Sequence, residues 1–463
     1  MTHDLVVRNG RAVLPGAGLC AADIAVADGR IAAVTAPGAA GSAQDELDAD
    51  GLVVLPGLVD PHVHFGLGHP DDWATESRAA AQGGVTTVLN YVQSSSPYTE
   101  AEPAERALAA STSVIDWATH PIVMSEEHLR ELPDLVREHD VHSFKYFANF
   151  KGDEGAYMGV EGTDTGFFFA LCRAVAAFPD VVLAVHPENI ETIWRILPEV
   201  KATGAEGLPA WNAARPDFVE AHDIFTALLF AHRTGCRIYI PHLTNREGLE
   251  VIRRHTADGW RAHVETCPHY LTHTAESDVG SLGKVNPPLR TQDDVDALWE
   301  GLADGSIQTV GSDHNSRPRA KKEGSIWTAS AGFPGVNTLL PVMLGEGHHR
   351  RGLPLERIAE LTATNPARIF GLHPTKGSIV PGADADLVLV DLDREETVDA
   401  SRSESRSDFS IYEGRRLRGW PVATLRRGAV IARDGEVLAE PGTGRHVRRV
   451  PAGAAAPALE PSR

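Results

Sequence analysis

Apolar positions along the chain fall into two styles. From Asp4 to about Val54, short apolar runs are broken by turn residues, as in DLVVRNGRAVL, ADIAVADGRIAAV and GLVVLPG. Asn9-Gly10 and Asp28-Gly29 tolerate the left-handed backbone of tight hairpins, so residues 1–56 predict a small antiparallel β unit. The same style returns over residues 372–440, in ADADLVLVDLD, ATLRRGAVIARDGEVL and the Asp434-Gly435 turn. Two strand-rich flanks around a different middle predict one β-sandwich built from both ends of the chain. Residues 441–463, rich in Ala, Pro and Arg, read as a flexible tail.

Over residues 57–371 the pattern alternates. The strand candidates are VLPGLVDPH, VTTVLNYV, VIDWATH, VHSFKYF, VVLAVH, RIYIPHL, RAHVETC and IQTVGSD. Helical stretches such as TESRAAAQGG, AEPAERALAAS, PDLVREH and FTALLFAHRTG lie among them. Eight such runs with helices between them predict an α/β fold, a parallel (β/α)8 TIM-like barrel.

Composition narrows the function. The 463 residues are 42% hydrophobic and 23% charged, an ordinary soluble globular balance. Their formal net charge of −20 repels phosphate backbones and anionic lipid, which argues against nucleic-acid or membrane partners. Cys20, Cys172, Cys236 and Cys267 form no CxxC pair, so neither a disulfide framework nor a thiolate zinc site is suggested, and a reducing cytoplasm is the expected setting. No signal-peptide pattern opens the chain and no stretch has the length of a membrane span.

In a barrel of this kind the chemistry sits at the C-terminal strand ends. Those ends carry His62 and His64 on the first strand, Lys145 on the fourth, His186 on the fifth, His242 on the sixth and Asp313 on the eighth. Singly, each has an ordinary reading: a hydrogen-bonded strand-end histidine, or for Asp313 a helix cap. The two histidines of HVH are i and i+2 on a strand, point to one side and can close on one ion. Four histidines and an aspartate facing one mouth point to a metal site. An ammonium has no lone pair and would be repelled by divalent cations, so Lys145 enters such a site only when modified. Desolvation favours its neutral amine, which takes up carbon dioxide to give a carbamate with two oxygens for two metals. Otherwise Lys145 is a lysine snorkelling out of the barrel mouth.

With those motifs in place, DPHVHF, SFKYF, AVHPEN, YIPHLT, ETCPHYL, KVNPPLR and GSDH together resemble the cyclic amidohydrolases of the amidohydrolase superfamily, namely dihydropyrimidinase or hydantoinase, allantoinase and dihydroorotase. The resemblance implies that His62, His64 and Asp313 bind one metal, that His186 and His242 bind a second, and that carbamylated Lys145 bridges them. Nitrogen and oxygen ligands without thiolate favour zinc, with manganese or cobalt feasible. Water bound to such metals ionises near neutral pH, so a hydroxide would attack the ring carbonyl and Asp313 would carry its proton to the leaving nitrogen. Relatives of this kind imply a homodimer or homotetramer.

Substrate choice is less legible. Dihydroorotases of this type resemble HxHxR, with the arginine on the substrate carboxylate, whereas Gly66 stands there in this chain. Allantoinases tend to show asparagine at that place, which is also absent. Hydantoinases resemble FKxFMAYKG, whose tyrosine donates to the developing oxyanion; this chain reads FKYFANFKG, with Phe150 at that position. Tyr146 or Tyr157 could substitute, or the metal could suffice. Phe147, Phe150 and the run Phe167 to Phe169 read either as an apolar pocket or as core. Asn286 in KVNPP is expected to grip the cyclic amide, His269 and Cys267 to be structural, and GDEGAYMGVEGTDTG to be a mobile loop over the mouth. The leading expectation is a hydantoinase- or dihydropyrimidinase-like hydrolase of cyclic amides, imides or ureides, with a dihydroorotase- or allantoinase-like enzyme as the alternative. A metal-free scaffold relative is disfavoured, because all six ligand positions are kept.

Overall fold

The computed structural model describes residues 2–157 and 159–449, with the side chain of Tyr157 outside the described part. The chain opens with β1 (His3–Leu14), β2 (Gly18–Ala27), β3 (Arg30–Thr35), β4 (Ala43–Asp48) and β5 (Val53–Pro56). Asp28 and Gly29 join β2 to β3 with φ of 52° and 75°, the two positive values of a type I′ hairpin turn. Asn9-Gly10 departs from expectation. It lies inside the continuous strand β1 as a register shift against β2, because Asp23 accepts from the Asn9 backbone N–H at 3.0 Å and Asp48 from its side-chain amide at 2.9 Å.

The barrel strands follow: β6 (Leu58–Val63), β7 (Val85–Val92), β8 (Asp116–Pro121), β9 (Ser143–Phe147), β10 (Val182–His186), β11 (Arg237–Ile240), β12 (His263–Thr266) and β13 (Thr309–Val310). They pair in parallel, β6 to β8 in one ladder and β9 to β13 in another. Bridges between Val63 and His314 and between Ile122 and Lys145 join the two ladders into a closed barrel. Parallel strands are covered on both faces, which explains their near-continuous apolar runs. Helices Asp72–Gln82, Tyr98–Thr112, Glu126–Glu138 and Asp217–Thr234 lie where the pattern predicts them.

The chain then returns to the first sheet with β14 (Leu387–Thr397), β15 (Arg416–Arg426), β16 (Ala429–Arg433) and β17 (Glu436–Val437). Strand β14 lies antiparallel on β5, so the sheet runs β17-β16-β15-β14-β5-β1-β2-β3 with β4 parallel along β1. Leu5, Ile24 and Val54 from the first part pack with Leu387 and Leu425 from the second in one buried cluster. The β-sandwich is therefore assembled from both chain ends. Lys376, just before β14, is buried among Asp116 of the barrel and Asp384 and Asp386 of the returning chain, and ties the two units together.

Two expectations are corrected here. Residues 441–449 are packed against the barrel: the Trp117 N–H donates to the Arg445 carbonyl at 3.0 Å and the Val447 N–H to the Trp117 carbonyl at 2.8 Å. Strand β8 meets β9 through little more than the Ile122–Lys145 bridge, and the C-terminal segment satisfies its open backbone groups. Residues 450–463 lie outside the described residues. The segment expected as a loop contains helix Gly152–Tyr157 and leads into helix Thr165–Ala176, capped by Asp164 accepting from the Phe167 N–H at 2.8 Å. On that second helix Phe167 and Phe168 enter the core and Phe169 faces outward, so this run packs the barrel wall and lines no pocket at the mouth.

Candidate active site

His62 is the last residue but one of β6 and His64 lies just beyond its end, and both rings meet Asp313, which the chain reaches just after β13. Asp313 Oδ1 lies 3.0 Å from His62 Nε2 and 3.2 Å from His64 Nε2. Ligands at about 2.0–2.1 Å from one tetrahedral ion sit roughly 3.3 Å apart, so these spacings are those of donors sharing an ion. His64 Nδ1, His242 Nδ1 and Lys145 Nζ are buried without a hydrogen-bond partner. Orphaned buried nitrogens cost about 1–3 kcal/mol each, and a cation at their centre would remove that cost. The donor set fits a divalent metal.

Its backbone is built for close approach. A Cβ on Gly311 would lie 2.5 Å from Glu265 Oε2 and 2.9 Å from the His62 Cβ, so only glycine lets the end of β13 pass there. Asp313 and His242 have φ of 50° and 43°, left-handed values that non-glycine residues hold at a cost of about 1–3 kcal/mol and that cluster at functional sites.

His186, at the end of β10, places Nδ1 2.9 Å from His242 Nε2, and the His242 ring lies 5.3 Å from that of His62. Lys145 Nζ stands 4.5 Å over the Tyr91 ring and 4.9 Å over that of Phe147. Tyr91 in turn packs on His62 at 4.8 Å. All six expected residues thus meet at one mouth. His62, His64 and Asp313 close to ligand spacing around a carboxylate, while His186 and His242 form a pair beside them.

The electrostatics favour a cation at the first group. Burial alone would depress His62, but the Glu265 and Asp313 carboxylates outweigh it and raise the ring to about 9. Burial pushes His64 down to about 4 and Lys145 down to about 8. Against its own burial, Asp313 is held well below the usual carboxylate range by His62 and His64. The Cys267 thiol is pushed well up by burial and by nearby carboxylates, which keeps it protonated and a poor ligand.

The site opens into a cavity of about 370 Å³ lined by His64, His186, His242 and Asp313 together with Asn286 and Phe150. The Asn286 Oδ1 is buried without a partner. Phe150 stacks on Phe147 at 4.1 Å, and Phe147 lies 5.2 Å from His186, so Phe150 is wall and packing at once. Tyr146 points away from Lys145 on the other face of β9, stacks on Phe168 at 4.7 Å and sits 3.2 Å from the Thr163 hydroxyl, so it supplies no hydroxyl to this cavity.

A sequence model of the amidohydrolase family matches residues 236–429. The L-hydantoinase of Paenarthrobacter aurescens is 34% identical over 459 residues, 96% of this chain and 98% of its own. The chain belongs to the amidohydrolase family, as a metal-dependent cyclic amidohydrolase. A dihydroorotase of Halobacterium salinarum is 36% identical over 92% of this chain and 99% of its own. The solved L-hydantoinase (dihydropyrimidinase) from Arthrobacter aurescens superposes with a TM-score of 0.91 at 33% identity, over 97% of this chain and all of its own. The hydantoinase and the dihydroorotase stand at nearly the same identity to this amidohydrolase, 34% and 36%.

Several residues of the site escaped the sequence. Glu265 of β12 accepts from His62 Nδ1 at 2.6 Å, from the His242 backbone N–H at 3.1 Å and from the Tyr239 hydroxyl at 2.7 Å. A charged residue inside the apolar run RAHVETC was the available signal. Glu188, in AVHPEN, stands 2.8 Å from His186 Nε2 and 3.2 Å from Arg215. Because Glu265 fixes the His62 tautomer that points Nε2 at Asp313, Glu265→Gln is expected to weaken metal binding about 10–100-fold. Competition against a chelating dye measures this, and unchanged affinity would make Glu265 a packing residue only.

Proposed function

We propose that the protein opens a cyclic amide, imide or ureide at its C–N bond, with His62, His64 and Asp313 holding one divalent cation, His186 and His242 a second, and carbamylated Lys145 between them. Zinc suits this nitrogen and oxygen donor set best. The observation that carries the reading is the convergence of six residues from five strand ends, four of which, His64, His186, His242 and Asp313, line one cavity whose wall also presents Asn286. Divalent cations bound there lower the pKa of water toward neutrality and polarise a carbonyl. The chain's own residues do the rest. Asp313 uses Oδ1 against both histidines and leaves Oδ2 to take a proton and pass it to the departing ring nitrogen. The unpaired Asn286 Oδ1 accepts from a ring N–H, a donor that cyclic amides, imides and ureides all offer. Phe147 and Phe150 cover one face and exclude water from it.

Among the described residues no tyrosine lines the cavity. Tyr146 is thereby set aside and the Tyr157 side chain lies outside the described residues, so in this proposal carbonyl polarisation rests on the metal. A panel of dihydrouracil, hydantoin, allantoin, dihydroorotate and cyclic imides tests the reading on protein loaded with zinc or manganese plus bicarbonate. Hydrolysis of at least one ring, lost on chelation and regained on metal return, is expected. A protein that holds no metal and gains no activity under these conditions would overturn the proposal.

A further inference from the structure

The cavity wall contains a buried cation that the protein does not neutralise. Lys284, in the KVNPP segment after β12, is only 5% exposed. Its Nζ sits 4.1 Å over the Trp211 ring and makes a single long contact, 3.5 Å, to the Trp327 carbonyl. Among the described residues no carboxylate lies within 4.0 Å of it. Other buried cations nearby are treated differently. Lys322 gives its Nζ to the carbonyls of Lys284, Ser330 and Gly332, each at 2.8 Å. Arg215 is paired with Glu188 and Glu154. Stripping water from an ammonium costs several kcal/mol unless a partner replaces it. Burial, helped by Arg215 and Lys201, indeed lowers Lys284 to about 8.

Lys284 faces the same cavity as His64, His186, His242 and Asp313 and as Asn286, two positions on. Two acidic residues line the cavity wall besides Asp313. Of these, Glu154 is committed to Arg215 and Asn149, and Asp153 is exposed to solvent. Gly66 has no side chain and so offers no clamp from the β6 side. We propose that Lys284 is a specificity-determining residue that receives a carboxylate carried on the ring of the substrate. The inference rests on the cyclic-amide reading above and names its substrate class, a cyclic amide or ureide with an acidic substituent. Trp211, Phe147 and Phe150 flank such a substituent with apolar surface, which strengthens a charge–charge contact by excluding water.

Paired rings that differ only in that group test it: hydantoin-5-acetic acid against its carboxamide, and dihydroorotate against dihydroorotamide. With the metal-loaded wild type, kcat/KM is expected to favour the acid at least 10-fold. In Lys284→Gln that ratio is expected to fall 10- to 100-fold, mainly through KM, as for loss of a hydrogen bond to a charged group, and Lys284→Arg is expected to retain most of it. Because the ratio is internal to each variant, a general loss of folded enzyme cancels. Calorimetric binding of the same pairs reads the subsite without turnover. Lys284-dependent binding of the acid without hydrolysis of any ring would uphold the subsite and defeat the hydrolase reading. A ratio near one in the wild type, or one unchanged in Lys284→Gln in both assays, would overturn the proposal.

Discussion

Lys145→Ala is expected to lower kcat on the order of 1,000-fold or more, and short acids such as acetate or propionate to restore part of the activity. The size follows from losing the group proposed to hold both metals, worth several kcal/mol at the transition state. Lys145 Nζ is fully buried, has no hydrogen-bond partner and lies between the Tyr91 and Phe147 rings. A lysine with an ordinary pKa near 10.4 is about 0.1% neutral at pH 7.5. Brought down to about 8, it is neutral on the order of 100-fold more often, which is the form that reacts with carbon dioxide. Alanine removes the amine and opens a space the length of the side chain, which a small carboxylate can enter to present the same two oxygens. Metal content should fall in the variant and recover with the added acid, and native mass spectrometry of the wild type should show one bound carbon dioxide. An alanine variant fully active without added acid would show that no carbamate bridges the site.

The parts of the molecule visible in the sequence are those whose signal is local. Each barrel strand is an apolar run, and the candidate ligands stand at or just past five of the strand ends, so HVH and GSDH could be placed there without a structure. Asp28-Gly29 and Asp434-Gly435 behave as their backbone preference dictates. Asn9-Gly10 does not, because Asp23 and Asp48, far along the chain, hold it as a bulge. The same distinction separates the site residues. His62 announces itself by spacing, whereas Glu265 acquires its role only when β12 curls round to β6 and brings its carboxylate to the ring nitrogen that faces away from Asp313. Lys284 looks like any surface lysine until Trp211 and Trp327 cover it. Residues 441–449 carry no strand pattern of their own, since the groups they satisfy belong to β8.

The buried ion cluster between barrel and sandwich carries the largest stability prediction: Lys376→Met is expected to cost about 3–5 kcal/mol, the range for breaking a buried ion pair on one side. Lys376 Nζ lies 2.6 Å from Asp116, 2.7 Å from Asp386 and 2.9 Å from Asp384. Asp116 is also bonded to Arg427 and accepts from the Arg445 N–H at 3.0 Å, so the cluster pins β8, the returning sheet and the C-terminal segment at once. Methionine fills the volume of the lysine stem, and what it removes is the charge. Burial alone would raise Asp116, yet Lys376 and Arg427 hold it below the usual carboxylate range. Its contribution is therefore present above the unfolded pKa near 3.9 and is lost as pH falls through the depressed folded value. Lys376 is shifted the other way, above its ordinary value, so its share is full below about pH 10 and constant through neutrality. Without the lysine, Asp116 keeps only its arginine partner and Asp386, already raised by burial, loses its ammonium, so both folded pKa values rise and protonation relieves them. The gap between wild type and Lys376→Met should be full at pH 7–8 and narrow toward pH 5. Adding Asp386→Asn to the methionine variant should recover part of the loss, because it removes one uncompensated charge. Denaturant midpoints at the two pH values decide it: a loss below about 1 kcal/mol, or one that does not change with pH, would mean that the cluster is no more than packed polar filler between the two units.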